Sequence, residues 1–131
     1  MAVECRAEDA ELTELLAMID YPASRAAVTA ERSLLAALEA GCSAPVGAYA
    51  EFRQASPDRL ALHGVVIGVP AAQQTAGPGV TPGRGAMVVR ERGEADAADA
   101  ARLGRELAAR MLALGAADLI GAKTDRDDAH D

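Results

Sequence analysis

Aromatic residues are nearly missing from this chain. Two tyrosines, one phenylalanine and no tryptophan occur among 131 residues. Any core must therefore be built from Leu, Val, Ile and Ala, which is feasible because half the residues are apolar. Two cysteines and two histidines, with no C-x-x-C pair, give no metal-ligand spacing. Cys5 and Cys42 could pair in principle, but nothing in the sequence points to an oxidising compartment, so a reduced, cytoplasmic protein is expected. Long apolar runs are missing too. Val65 to Val69, with Gly68 inside it, is far too short to span a bilayer, and the charged start MAVECRAED lacks a signal-peptide core. Cationic excess is absent: the formal net charge is -7, which repels phosphate backbones and argues against a nucleic-acid partner.

What is present reads as a small α+β domain. MAVECR is short and β-like, and Cys5 in it is an ordinary strand cysteine. Asp9 is an N-cap, with Leu12, Leu15, Leu16 and Ile19 spaced as one helical face. Asp20-Tyr21-Pro22 ends that helix, because the residue before proline is pushed out of the α region. A second helix starts at Ser24 and runs to about Ala40, with Ala27, Val28, Leu34, Leu35 and Leu38 on its buried side and Gly41 beyond its end. Glu31 and Arg32 fall inside it, either on a solvated face or in an ion pair that positions the helix.

Cys42 follows at once, on a corner that feeds a strand through Pro45-Val46-Gly47. Val46, Ala48, Ala50 and Phe52 alternate with polar or small residues, the period of a half-buried strand. Gln54 to Asp58 is a turn. Leu60 to Val69 is a second strand, long enough to call for a bulge or kink at Gly64 or Gly68. His63 stands in it alone, with no second ligand or nucleophile near it in sequence. Pro70 to Gly85 is a Gly/Pro-rich hairpin loop without phosphate-cradling spacing. Ala86 to Arg92 is a third strand closed by Gly93. Glu94, Asp96 and Asp99 then load the start of a last helix, as its macrodipole favours. That helix carries Leu103, Leu107, Met111 and Leu114 on its apolar face, with Ala100, Gly104 and Ala108 allowing close approach to a neighbour. Gly115 ends it, Leu119 and Ile120 tuck back, and the tail from Gly121 is polar. The fold expected is a three-stranded antiparallel sheet covered on one face by two helices, αβββα, preceded by a short strand and helix.

TAERSLLAALEAGC followed by SAPVGAYAE resembles the cofactor-attachment segment of the porphobilinogen deaminase (hydroxymethylbilane synthase) family. The E-C-R word at the start and the L-G-x-x-L-A-x-x-x-L-x-x-G-A word ending at Ala116 match the same family in the same order. Ala40 stands where the family usually has a second glycine, and the Pro70–Gly85 stretch replaces a usual short turn. The resemblance implies that residues 1–21 are the end of the family's first domain, that 22–120 are its cofactor-anchoring C-terminal domain, and that 121–131 are a flexible tail. It implies a transferase of tetrapyrrole (heme) biosynthesis that condenses four porphobilinogen units. Cys42 would carry the dipyrromethane cofactor as a thioether. The family's first and second domains, with their catalytic aspartate and substrate arginines, are the implied partners, so this chain alone is expected to be inactive and without its cofactor. Arg53, Arg59, Arg84, Arg90 and Arg92 match no family substrate position and are expected at the surface. A predicted helix C-terminus beside Cys42 disfavours a thiolate, which suits an anchor rather than an autonomous nucleophile.

Two other readings remain at this point. Helix, three strands and helix is also the order of double-stranded RNA-binding domains, but Glu94, Asp96 and Asp99 stand where those need lysines. A stand-alone interaction module without catalysis would be monomeric, or would recruit a partner by edge addition through residues 1–6.

Overall fold

The computed structural model describes residues 3–39, 44–53, 56–68 and 87–121. Its elements are α1 (Ala10–Ala17), α2 (Pro22–Ala37), β1 (Val46–Arg53), β2 (Ser56–Gly68), β3 (Met87–Asp96), a 3-10 turn (Ala97–Asp99), α3 (Ala100–Ala113) and α4 (Ala116–Gly121). The sheet is an antiparallel meander in the order β1-β2-β3. Helices α2 and α3 lie side by side on one face of it, so the expected two-layer αβββα arrangement is what forms.

The core is aliphatic, as the lack of aromatics requires. Leu34 of α2, Leu60, Leu62 and Val66 of β2, and Leu107 and Met111 of α3 are fully buried. Ala50 of β1 and Val89 and Ala95 of β3 complete the sheet's contribution. Small residues bring the layers together. A Cβ on Gly104 would stand 2.5 Å from the Ala30 carbonyl oxygen, so α2 and α3 approach there at backbone distance. A Cβ on Gly64 would meet Met111 Sδ at 2.6 Å and Leu34 Cδ2 at 3.0 Å.

Gly64 is therefore a seat for the helices rather than a kink. The pairing of β2 with β3 runs unbroken from Arg59↔Asp96 to Gly68↔Met87. The irregularity lies instead at the β1–β2 hairpin, between Phe52 and Arg53. Ser56 to Asp58 belong to β2 rather than to the expected turn, while Gln54 and Ala55 lie outside the described residues. β3 finds partners beyond Gly93 in Ala61, Leu60 and Arg59 of β2 and continues to Asp96. Glu94 and Asp96 are thus strand residues, not the opening of the last helix. Their period-two placement sends Ala95 into the core and both carboxylates to the other face.

Helix α2 starts at Pro22, two residues before the expected cap at Ser24, since proline's fixed φ and missing N–H suit the first turn. It stops at Ala37. Glu39 takes the positive φ of 52° that was expected of Gly41, which lies outside the described residues. Ala30 replaces Val28 on the buried side, and Val28 is exposed. Gly115, with φ of 90°, ends α3 as anticipated. Leu119 is buried against Gly68 and Ile120 packs on the core. Leu114 is exposed.

Upstream, Asp9 caps α1 by accepting from the Leu12 amide at 3.1 Å. The helix buries none of its residues, with Leu12 and Leu15 exposed, and Met18, Ile19 and Tyr21 just after it are exposed too. Residues 3–6 of the strand expected over 1–6 form none, since among the described residues no strand pairs with their backbone groups. Met1 and Ala2, the stretch 69–86 and the tail 122–131 lie outside the described residues.

Candidate functional site

The corner between α2 and β1 is held on both sides. On the helix side Leu38 is buried and its amide bonds the Leu34 carbonyl at 3.0 Å. On the strand side the Ile67 amide donates to the Pro45 carbonyl at 3.0 Å, extending the β1–β2 ladder by one residue. Further along, Glu31 Oε1 of α2 accepts the Ala50 amide of β1 at 2.8 Å. β1 is an edge strand, and its outward amides have no sheet partner. The Glu31 carboxylate fills that role for one of them and fixes α2 against β1. Among the described residues neither Glu31 nor Arg32 forms the ion pair considered for them. Cys42, the predicted anchor, sits between these fixed ends but lies outside the described residues.

The remaining predicted positions are scattered from that corner. Cys5 is exposed, a free thiol 3.8 Å from Thr13 Oγ1, and not in a strand. His63 is on the sheet face that carries no helices. Its Nε2 lies 3.7 Å from Glu51 Oε1, and its ring centroid is 6.3 Å from that of Tyr49. Among the described residues no three His, Cys, Asp or Glu side chains gather as a metal site. No helix among them is long and apolar enough to cross a membrane.

The arginines are on the surface as expected, yet they are ordered. Arg53 Nη1 lies 3.0 Å from Glu94 Oε1, Arg92 pairs with the same carboxylate, and Arg59 lies 3.3 Å from Asp96. Alternation places these groups on the open face together with Arg90, across from Tyr49 and His63. Sequence reasoning missed this ladder because it ended β3 at Gly93. Arg84 lies outside the described residues. On α3, hydrogen bonding from the Arg102 guanidinium holds the Asp99 carboxyl below the usual carboxylate range.

The family model described as "Porphobilinogen deaminase, C-terminal domain" matches residues 25–113. Among curated proteins, "Porphobilinogen deaminase 1" of Streptomyces coelicolor is 50% identical over 129 residues, covering 94% of this chain and 36% of that protein. "Porphobilinogen deaminase 1" of Streptomyces avermitilis is 46% identical over 127 residues, with the same two shares. "Porphobilinogen deaminase" of Nocardia farcinica is 45% identical over 126 residues, covering 92% of this chain and 32% of that protein. The chain thus spans about a third of the length of the curated relatives it matches.

Proposed function

The chain belongs to the porphobilinogen deaminase family, in its C-terminal domain, and on that premise we propose that it is the cofactor-anchoring portion of a hydroxymethylbilane synthase. The observation that carries this reading is the match over residues 25–113, which takes in the Cys42 corner, most of α2 before it and the three strands and α3 after it. In this reading residues 22–120 are the anchoring domain, and residues 1–21 are the end of a domain whose remainder lies elsewhere. The whole enzyme is a cytoplasmic transferase that joins four porphobilinogen units into hydroxymethylbilane.

The donor set fits a thioether, which needs one thiol and no second ligand. Cys42 is that thiol. Dipyrromethane, when bound, supplies the primer on which the chain of pyrroles grows. The protein's own contribution here is mechanical. The Leu34–Leu38 turn, the Pro45–Ile67 hydrogen bond and the Glu31–Ala50 hydrogen bond fix the two ends of the segment that carries the thiol. A thioether is not exchanged by cellular thiols, so a growing product would stay attached. No described residue supplies the acid for pyrrole condensation, and that role falls to the family's first and second domains.

The exposed apolar side of α1 supports the same view. Leu15 is 56% and Ile19 73% exposed, a face suited to burial by the rest of a longer protein. The chain alone is accordingly inactive and unmodified. Incubation with porphobilinogen should leave its intact mass unchanged, and the protein freed of unbound substrate should give no Ehrlich colour. Adding the first two domains of a full-length relative should produce a dipyrromethane mass increment that Cys42→Ser abolishes. Turnover by the chain alone, or an increment that survives Cys42→Ser, would overturn the reading.

A further inference from the structure

The open face of the sheet contains a shallow hollow of about 470 Å³ whose lining includes the row Gly47, Val65 and Arg90. Its floor exists because Gly47 has no side chain. A Cβ there would come within 3.0 Å of Val65 Cγ1, so any larger residue would cover the flank of Val65. The next row is Tyr49, His63 and Arg92. The rings of Tyr49 and His63 stand side by side, tilted by 34°, and form one wall. The two guanidiniums close the other side.

The charges around this hollow are unequal. Arg92 is tied to Glu94, and Glu51 attends His63. Arg90 has no carboxylate within ion-pair range among the described residues. The neighbouring Glu91 carboxylate is instead 3.9 Å from Arg110 Nε of α3. On a chain of net charge -7, a guanidinium without a carboxylate partner among the described residues therefore lines a hollow with an apolar floor and an aromatic wall. Arginine's planar fork matches a carboxylate with two parallel hydrogen bonds, and small-ligand sites combine an apolar surface with a few convergent polar groups.

We propose that this hollow binds a carboxylate carried on a flat, apolar body, with the carboxylate on Arg90 and the body between Val65 and the Tyr49–His63 wall. The hollow is lined without Cys42, and its test does not depend on the anchor assignment. Phenylacetate is the probe, followed by amide chemical shifts of the whole chain. The expected result is saturable shifts confined to Gly47, Tyr49, His63, Val65, Arg90 and Arg92, with a dissociation constant on the order of a few millimolar for so small a ligand. Arg90→Gln should weaken binding roughly tenfold, by loss of the bidentate pair. Gly47→Val, which fills the floor, should abolish it. Neutral 2-phenylethanol and acetate alone should each bind about tenfold more weakly than phenylacetate, since each lacks half of the recognised chemistry. Shifts that do not saturate or that scatter over the chain, an Arg90→Gln variant that binds like the parent, or equal binding of inorganic phosphate would overturn the proposal. The amide spectrum itself reports whether each variant is folded.

Discussion

Replacing Glu31 by alanine tests the joint between helix and edge strand. The Glu31 carboxylate accepts the Ala50 amide at 2.8 Å, and Ala50 is only 8% exposed. Alanine at position 31 removes the acceptor and leaves that amide facing a space from which water is largely excluded. A hydrogen bond to a charged group contributes about 1.5–3 kcal/mol, and a stranded buried donor costs about 1–3 kcal/mol. Glu31 is itself only partly buried, so water can repair some of the damage; about 2 kcal/mol is the expected net loss. With a urea slope near ~1.5 kcal/mol/M, the denaturation midpoint should fall by roughly 1.3 M. Glu31→Gln keeps an acceptor oxygen but no charge, and should lose only about half as much. Circular dichroism during urea titration measures all three proteins. A loss below about 0.5 kcal/mol for Glu31→Ala would refute the reasoning, since surface substitutions remote from any special contact fall in that range. So would equal losses in the two variants, because the acceptor would then be irrelevant.

Other outcomes follow from packing and charge. Gly104→Ala should destabilise by about 2–3 kcal/mol in the same titration, because its new methyl group meets the Ala30 carbonyl and the Leu34 amide, backbone atoms that cannot rotate away. Leu107→Ala should cost about 3–4 kcal/mol by opening a cavity at a fully buried site. The Asp99 carboxyl carbon should titrate in NMR below the usual carboxylate range, and Arg102→Gln should bring it back up. The Asp99 pKa is depressed in the folded state, so the stabilisation from this pair is present above the ordinary carboxylate range and disappears as pH falls through the lowered pKa. Amides of α1 should exchange with deuterium far faster than those of α2 and α3, as α1 buries nothing and Leu34 and Leu107 anchor the others.

Periodicity made most of the architecture legible. The alternation from Val46 to Phe52 and the spacing of Leu103, Leu107 and Met111 each record which face is buried, and the structure buries those faces. The errors have a common origin in tertiary context. Glu94 and Asp96 look like helix-opening acids until the register with β2 sets Asp96 opposite Arg59 and Glu94 within reach of Arg53 on β1. Gly64 looks like a kink until Met111 and Leu34 are seen to fill the space above it. Residues 3–6 have β propensity but no partner strand, and propensity alone does not pair backbone groups. For the Cys42 corner the sequence reading relied on recognisable words. The contacts that secure its two ends, Glu31 to Ala50 and Pro45 to Ile67, leave no pattern in a single sequence, because each joins residues far apart in the chain.

The sheet is shielded by one helix that precedes it and one that follows it, and these meet at Ala30 and Gly104. During synthesis the chain emerges from the N-terminal end, so α2 and all three strands are available before α3 exists. The part of the meander's hydrophobic face that α3 covers must wait bare until residues 100–113 leave the ribosome. Closure of the layer is thus a late, long-range event, which slows folding relative to a bundle of local contacts. Until then the protein is most open to chaperone capture and to aggregation, and a chain interrupted anywhere before Leu107 would keep that surface bare.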